Sequence, residues 1–439
     1  MIRRKVHKIF VLFLMLCMMF NLCACTVAKD IKDNIENRMD INTNTLSSQE
    51  IVRLMIDAIN REDKMAESYS TIPERQLDGV SYSMYFEYVN IFRSITNNYG
   101  KEISYFRMIP HDEVKDLVGA DVFNVYPGLV AAELQYSDKN GTATSFEEPL
   151  YIFLTEKNGQ TNLSLRWVSG VVDIYNYGDH YITMLDEQSS DGVFALIEPG
   201  LKQALPERVI KATAQSLVEY YRVSVKSASS QYRVVMLTPS YYSIKVPDTI
   251  GENDTTIEHF IEIKKDASNV FHINDDIPFY LDSSMLYLTS GQNGDEMHML
   301  NVGATYSRDT LIFNLGNPKY EFVRTDDVIY LDSESGDGKP MRRTVTIYPS
   351  VNLIFYAEHK DKSGDWTGVL QQINITGEDY HIGNNIHVGM SKYDLLEKYP
   401  FMYNSGYEYY FSNETGNYKV TLVFGETDVL EEIIMSKEF

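Results

Sequence analysis

A short motif recurs near the end of the chain and constrains its fold more than any other feature of the sequence. Leu300-Asn301-Val302-Gly303 is matched 86 residues later by Ile386-His387-Val388-Gly389. Two copies of one pattern predict two similar units, which can stabilise each other because a small sheet with one helix buries little apolar surface alone.

Each Val-Gly pair is followed by a stretch with helical character, residues 306–315 in the first copy and 392–399 in the second. Pro318 follows the first stretch and Pro400 follows the second. Because proline cannot continue a helix, we expect each helix to end before it.

Strand-like runs of alternating apolar and polar residues follow each of these helices. They are 328–331, 344–357 and 369–375 in the first copy, and 407–411, 418–424 and 430–435 in the second. Pro349 leaves open a break within the run 344–357. The pattern predicts two tandem α-β-β-β modules, at residues 291–377 and 378–439.

The second copy resembles the fold shared by the outer-membrane lipoprotein BamE (the SmpA/OmlA family) and the tandem β-lactamase-inhibitor proteins. The matching residues are Val388-Gly389-Met390-Ser391, the helix at 392–399 and Pro400. The first copy departs from the pattern, with 15 residues from Gly303 to Pro318 against 11 in the second copy. The resemblance implies protein–protein binding on an extracytoplasmic surface. It does not extend to the inhibitors' contact residues, none of which can be placed in this chain.

The chain begins with basic residues and an apolar run over residues 9–20, and Leu22-Cys23-Ala24-Cys25 follows. This order resembles the lipobox of bacterial lipoproteins, which implies that Cys25 is lipidated and becomes the new N-terminus. A bilayer-spanning helix needs about 20 apolar residues, so the run is short for a permanent anchor, although an uncleaved anchor is the alternative. We therefore predict a signal peptide at 1–24 and a polar tether at 25–46.

Cysteine usage and charge limit the chemistry of the mature chain. The three cysteines are Cys17, Cys23 and Cys25, so cleavage would leave one sulfur, occupied by lipid. Disulfides, thiolate catalysis and cysteine zinc sites are then excluded. Cleavage would also remove four basic residues, changing the net charge from −23 to −27. Such a surface repels nucleic acid and anionic lipid headgroups, so we expect no nucleic-acid partner and membrane attachment through acyl chains. The resemblance to a lipobox implies that the attachment is at the extracytoplasmic face of the cell membrane.

The body of the chain starts with helix signals and continues with strand signals, over residues 47–190. Ser47 and Glu50 have capping-box spacing, and a second helix is predicted at 82–97. Strands are predicted at 103–109, 129–136, 150–155 and 163–168, with turns at Asn140-Gly141 and Asn158-Gly159. The order is similar to the nuclear-transport-factor-2-like cone, whose interior could enclose a ligand pocket.

A second unit is predicted at residues 191–290. Pro206 should stand in the first turn of a helix that reaches about residue 226, with Ile210, Ala214, Leu217 and Tyr221 on one face. The predicted strands are 232–237, 241–246, 257–264 and 279–288. The whole chain is therefore expected to be a multidomain α+β protein.

No motif points to catalysis. The sequence contains no His-Glu-x-x-His, Gly-x-Ser-x-Gly, Ser-x-x-Lys or Gly-x-x-x-x-Gly-Lys. The six histidines of its second half are scattered: His259, His272, His298, His359, His381 and His387. An acidic loop at 332–337 could hold calcium but fits a solvated turn better. Asp326-Asp327 is likewise expected to be a solvated turn before a strand. His111-Asp112 could be read as half of an acid–base pair, but adjacent residues seldom face one another, and Asp112 fits the N-cap of a helix at 113–118. We expect no metal and no cofactor.

These observations favour a non-enzymatic, lipid-anchored protein whose C-terminal modules bind a protein partner or support envelope assembly. The alternative is a small-ligand receptor or enzyme that uses a pocket in the N-terminal α+β domains.

Overall fold

The chain is a multidomain protein of helices and antiparallel sheets in the computed structural model, as the sequence predicts. The structure describes residues 45–138, 143–144, 149–224, 232–249, 256–275, 283–290, 297–330, 340–360, 364–383, 385–400, 406–413 and 416–438.

Most described helices lie in the first half of the chain. They are α1 (Ser48–Asn60), α2 (Met65–Thr71), α3 (Glu74–Leu77), α4 (Tyr82–Asn98), α5 (His111–Val118), α6 (Ala120–Val125), α7 (Leu165–Asp186), α8 (Ser190–Leu201) and α9 (Glu207–Ser224). Two more helices, α10 (Arg308–Leu315) and α11 (Lys392–Lys398), follow the repeated motif. Short 3₁₀ turns lie at Glu62–Lys64 and Ser283–Leu286.

The described strands form four antiparallel sheets. The first sheet has the order β1-β2-β4-β5, with β3 on β2: β1 (Lys101–Ile109), β2 (Leu129–Asp138), β3 (Ala143–Thr144), β4 (Leu150–Lys157) and β5 (Gln160–Asn162). The second sheet has the order β6-β7-β8-β9: β6 (Arg233–Leu237), β7 (Tyr241–Thr249), β8 (Thr256–Lys265) and β9 (Phe271–Asp275).

The C-terminal region contains a small sheet and a large sheet. The small sheet has the order β11-β10-β17-β18: β10 (Tyr287–Ser290), β11 (Met297–Asn301), β17 (Tyr380–Ile382) and β18 (Ile386–His387). The large sheet has the order β13-β14-β15-β16-β21-β20-β19, with β12 on β16: β12 (Thr305–Ser307), β13 (Tyr320–Tyr330), β14 (Pro340–Ile347), β15 (Val351–His359), β16 (Trp366–Ile375), β19 (Glu408–Asn413), β20 (Gly416–Phe424) and β21 (Leu430–Glu438).

Local signals place the first elements well. The Ser47–Glu50 capping box is confirmed, since the Ser47 side chain accepts from the Glu50 N–H while the Glu50 carboxylate accepts from the Ser47 N–H. The Asn158-Gly159 turn between β4 and β5 is also confirmed, with φ positive at both residues. Asn140-Gly141 lies outside the described residues.

Two predictions in the first unit are wrong. Residues 163–168 are not a strand, because α7 starts at Leu165 and continues for 22 residues. Apolar side chains recur along α7 with helical spacing, which a six-residue window cannot distinguish from a strand. Asp112 is not the N-cap of α5, because Pro110 holds that position and Asp112 lies in the first turn. A carboxylate in the first turn still interacts favourably with the helix dipole.

The predicted helix after Pro206 is confirmed as α9, and its four predicted apolar residues are all buried. The first and second units meet at buried tyrosines. The Val234 N–H, on β6, donates to the Tyr99 hydroxyl at 2.7 Å, and the Arg233 guanidinium lies 4.7 Å from the centre of the Tyr99 ring. Tyr136 packs edge-on against Tyr99 from β2. The two units therefore share one apolar core.

The first copy of the repeat has more strands than expected. Four strands, β13 to β16, follow α10, because the run 344–357 is broken around Pro349 into β14 and β15. The second copy has the expected three strands, β19 to β21. The last strands of the two meanders, β16 and β21, pair with each other and make one continuous sheet.

The two Val-Gly turns have the same backbone geometry. Gly303 has φ +88° and Gly389 has φ +89°, a region that side chains rarely adopt. The Gly303 N–H donates to the Leu370 carbonyl, and the Leu370 N–H donates to the next carbonyl after Gly303. Gly389 makes the same pair of bonds with Leu430.

The different spacings of the two copies have a local explanation. The first helix starts after β12, so Tyr306 is in a strand and the N-cap is Ser307, whereas the second helix is capped by Ser391 directly after Met390. Pro318 and Pro400 both lie shortly after their helices, as predicted. β10 pairs with both β11 and β17, so a hairpin crosses the boundary expected at residues 290 and 291.

Candidate functional site

The large sheet has one buried face and one open face. Side chains on the buried face are inaccessible to solvent, for example Leu353 and Phe355 on β15, Ile373 on β16 and Met435 on β21. Glu321 on β13 shares this side and pairs with Arg308 of α10 at 3.1 Å. The helix α10 therefore lies on the buried side of the sheet.

Strand register brings the alternate residues together on the other side, which we call the open face. One row across seven strands is Phe322, Val345, Ile354, Gln372, Ser436, Lys419 and Tyr410. The adjacent row is Tyr320, Ile347, Asn352, Asn374, Ile434, Thr421 and Glu408. Every residue in both rows is half-buried or exposed, so no described element covers this face.

Apolar side chains are concentrated at the β13–β15 end of the open face. Phe322, Val345 and Ile354 are direct cross-strand neighbours, and Tyr320 and Ile347 form the pair beside them. Tyr320 is 54% exposed and Phe322 is 52% exposed, with their rings stacked at 6.2 Å. Aromatic and aliphatic side chains in this arrangement are typical of the centre of a protein-binding surface.

Paired charges border this apolar region. The Arg343 guanidinium lies 3.4 Å from the Asp327 carboxylate, and the Tyr356 hydroxyl donates to the same carboxylate at 3.3 Å. Partial burial, followed by the nearby Asp327 charge, raises the pKa of Tyr356. Asp327 thus lies within β13 and is paired, whereas a solvated turn was expected.

The open face is large enough for a specific complex. Strands lie about 4.8 Å apart and six residues extend about 20 Å, so seven strands present on the order of 700 Å². A standard protein–protein interface takes about 800 Å² from each partner. The open face is therefore of interface size.

A buried polar cluster lies in the second unit, on residues that sequence reasoning did not bring together. The Asp275 carboxylate accepts from the Tyr181 hydroxyl at 2.8 Å and from the Tyr221 hydroxyl at 3.0 Å. His259 Nε2 lies 2.7 Å from the Tyr221 hydroxyl and 3.3 Å from Asp275 Oδ1. Burial, reinforced by the Asp275 charge, raises the pKa of both tyrosines well above the ordinary range.

This cluster joins elements and does not face solvent. Its members come from α7, α9, β8 and β9, and each is at most 5% exposed. A substrate has no access to groups at this depth, so the hydrogen bonds stabilise the packing of helices on the second sheet. The four residues are far apart in sequence and follow no motif, so no sequence pattern predicts this cluster.

The described elements of the N-terminal half form open depressions. A cleft of about 680 Å³ is lined by Tyr126 directly after α6, by Arg166 and Asp173 of α7, and by Ser240 and Lys265 at the second sheet. The Arg166 guanidinium lies 5.1 Å from the centre of the Tyr126 ring, and Lys265 pairs with Asp173 at 3.5 Å. A groove of about 550 Å³ lies between α1 and β1.

The other predicted positions are distributed as follows. The lipobox Leu22-Cys23-Ala24-Cys25 and the acidic loop 332–337 lie outside the described residues. His111 Nδ1 lies 3.3 Å from the Leu129 carbonyl oxygen, so the ring has a hydrogen-bond partner that is not a carboxylate. Within the described ranges, no group of three His, Cys, Asp or Glu residues could hold a metal ion. No helix in those ranges is long and apolar enough to cross a bilayer.

Comparisons with protein-family models, with curated proteins and with solved structures found no match for this chain.

Proposed function

We propose that this chain is a lipid-anchored extracytoplasmic protein that binds a protein partner through the open face of its large sheet. The anchor is inferred from the sequence of the first 25 residues. Partner binding is inferred from the chemistry of the open face. We propose no enzymatic activity for the chain.

The single observation that carries the binding proposal is the apolar end of the open face. A sheet face that contacts only water is expected to carry mostly polar side chains. Here Phe322, Val345 and Ile354 form a continuous apolar row across three strands. Phe322 is exposed, and the other two are half-buried. Contiguous exposed apolar surface of this kind marks interaction sites in soluble proteins.

The two Val-Gly turns support tandem modules as the origin of the large sheet. Both turns use a glycine with φ near +90° and the same two backbone bonds to a leucine near the end of the copy. The pairing of β16 with β21 then relates the two meanders by an approximate two-fold axis. This supports the likeness to the BamE and β-lactamase-inhibitor fold, and the protein-binding role that the likeness implies.

The binding proposal is tested by placing a charge on the open face. Ile354→Lys should reduce recovery of a stoichiometric partner from detergent-solubilised membranes by at least about tenfold, because a desolvated lysine in an apolar contact is costly. Phe260→Lys is the control, since Phe260 is 40% exposed on the second sheet. Equal recovery with both variants, at unchanged thermal midpoints, would contradict the assignment of the open face.

The anchor is tested separately. Labelling with a fatty-acid analogue should require Cys25, so a Cys25→Ala variant should remain unlabelled and should be released from membranes. Continued labelling of that variant would show that the lipid attachment is elsewhere.

The cleft at α6 and α7 favours a second candidate function, binding of a small ligand. An aromatic ring, a guanidinium and hydroxyl groups converge there beside the carboxylates of Asp121, Asp173 and Asp266, which suits a polar ligand that has an apolar part and groups of both charges. Trp167 lies 5.0 Å from Tyr126, and Trp366 is the other tryptophan of the chain. Native mass spectrometry of the purified chain should reveal a co-purifying molecule that is lost in Arg166→Ala, and Trp167 fluorescence in a Trp366→Phe background should change with it. The absence of any bound mass would dismiss this candidate.

A further inference from the structure

Exposed apolar side chains are concentrated where α10 leads into β13. Eleven large hydrophobic residues are exposed in the described part of the chain, and four of them lie in this segment: Phe313, Tyr320, Phe322 and Val323. Phe313 is 85% exposed, the highest value of the eleven. Such clustering points to a contact that the isolated chain does not satisfy.

The exposed residues lie on both sides of an edge strand. Among the described strands, β13 pairs only with β14. Register places Tyr320 and Phe322 on the open face, while Val323 points to the opposite side, where α10 lies. A partner seated on the open face alone would leave Val323 uncovered, so the occupant must also cover the edge itself.

The first part of this edge, Tyr320–Val323, lacks charged protection against strand pairing, and the β-bulge of β13 lies beyond it, between Arg324 and Val328. Natural edge strands are protected by charges that project along the edge. Between Lys319 and Arg324 the one charged residue is Glu321, and its carboxylate is held by Arg308 of α10 at 3.1 Å. The segment Tyr320–Val323 is therefore free of an unpaired charge and suited to backbone pairing.

We propose that the occupant is a second copy of this chain, added antiparallel through β13 about a two-fold axis at Phe322. In this register Phe322 faces Phe322 of the second copy, and Tyr320 faces Arg324 in both halves. Aromatic pairs and cation–π pairs are favourable cross-strand neighbours, and no two like charges are opposed in this segment. A two-fold axis normal to the sheet keeps both open faces on the same side, so the dimer would present one face of about twice the area.

This inference goes beyond partner binding and does not depend on it. The dimer uses the edge of β13, whereas the binding test uses Ile354, two strands away. A monomeric chain that still captures its partner would overturn the dimer alone. A dimer that captures nothing would leave the dimer standing and contradict the binding proposal.

Single cysteines give a direct test, because the chain's three native cysteines all lie within the first 25 residues. Directly opposed residues in an antiparallel pair have Cα atoms about 4.5–5.5 Å apart, which suits a disulfide. Full-length Phe322→Cys in membranes should form a disulfide-linked dimer under mild oxidation, while the unsubstituted chain should not. Tyr410→Cys is the matched control, since Tyr410 is 60% exposed at the opposite edge of the sheet.

The register has its own test. Tyr320→Cys co-expressed with Arg324→Cys should give the mixed dimer in preference to either homodimer. Native mass spectrometry of the unsubstituted chain should show twice the monomer mass, and Phe322→Asp should return it to the monomer mass. A chain that stays monomeric in both measurements would overturn the proposal, as would capture of Phe322→Cys by a different protein.

Discussion

The second sheet and the large sheet each have an outer face opposite the core, and the two outer faces differ in chemistry. On β7 and β8 of the second sheet, the outer residues are Tyr241, Ser243, Lys245, Phe260, Glu262 and Lys264. These residues are half-buried or exposed except Ser243, which is buried. They are mostly charged or hydroxylated, as expected for a face in water. The equivalent face of the large sheet has an apolar row through Phe322, Val345 and Ile354.

The inner faces of the two sheets are alike. Tyr242 and Ile263 of the second sheet are fully buried, as are Leu353 and Phe355 of the large sheet. The second sheet shows that an antiparallel sheet of this chain can fold with a polar outer face. The apolar row on the large sheet is therefore not required for folding, which is why we assign it to binding.

The largest predicted effect is a difference in stability between substitutions at two neighbouring residues of β15, one on each face of the sheet. Phe355→Ala should lower the free energy of unfolding by about 3–5 kcal/mol, because it opens a cavity in the core. Ile354→Ala, on the open face, should cost less than about 1 kcal/mol in the isolated chain. Denaturant titration measures both, and equal losses would show that the open face is covered after all.

A smaller effect should follow from crowding the inner face of the second sheet. A Cβ at Gly178 of α7 would lie 2.6 Å from Tyr242 Cε1 and 2.7 Å from Ile263 Cδ1. Gly178→Ala should therefore destabilise by about 1–3 kcal/mol, despite the better helix propensity of alanine. Asn176→Ala, exposed on the same helix, is the control and should be neutral or stabilising. A neutral Gly178→Ala would mean that α7 packs less tightly than its distances indicate.

The contact between α9 of the second unit and α11 of the C-terminal region should make a small, salt-dependent contribution to local stability. Arg208 of α9 pairs with Asp394 of α11 at 2.8 Å and also contacts Glu397. Exposed ion pairs contribute little and are screened by salt, so Arg208→Ala should loosen the α9–α11 contact slightly at low salt and not at high salt. Hydrogen exchange of α11 is the measurement. Lys211→Ala is the control, because Lys211 pairs with Glu207 on its own helix.

The smallest effect should be a pH dependence confined to the large sheet. Burial, followed by the positive charge of Arg342, lowers the pKa of His359, whose Nε2 lies 2.7 Å from the Thr344 hydroxyl. Because the folded-state pKa is below the unfolded value, the unfolded chain binds the proton more readily as pH falls through about 6.5, and stability is lost. The loss is complete below the folded-state pKa.

Substitution of His359 should remove this contribution. His359→Gln should weaken the drop in unfolding free energy between about pH 7.5 and about pH 5.5, while the other histidines contribute equally to both proteins. An unchanged drop would place the pH response outside the large sheet.

Much of the secondary structure was predictable because its signals are local. The Ser47 cap, the apolar face of α9 and the turn after β4 depend on neighbouring residues and were identified correctly. The start of α7 was missed because residues 163–168, which include its first four residues, are also typical of a strand. The extra strand in the first repeat was missed because one proline decides whether residues 344–357 form one strand or two.

The sequence alone determined the α+β class, the repeated Val-Gly turn and the features that predict a lipid anchor, since each depends on residue type and short spacing. Only the tertiary structure decided which face of each sheet is buried. That choice depends on strand register and on which helices pack nearby, and alternation looks the same from either face. The joining of Tyr181, Tyr221, His259 and Asp275 into one buried cluster was likewise decided by packing, because these residues come from four separate elements.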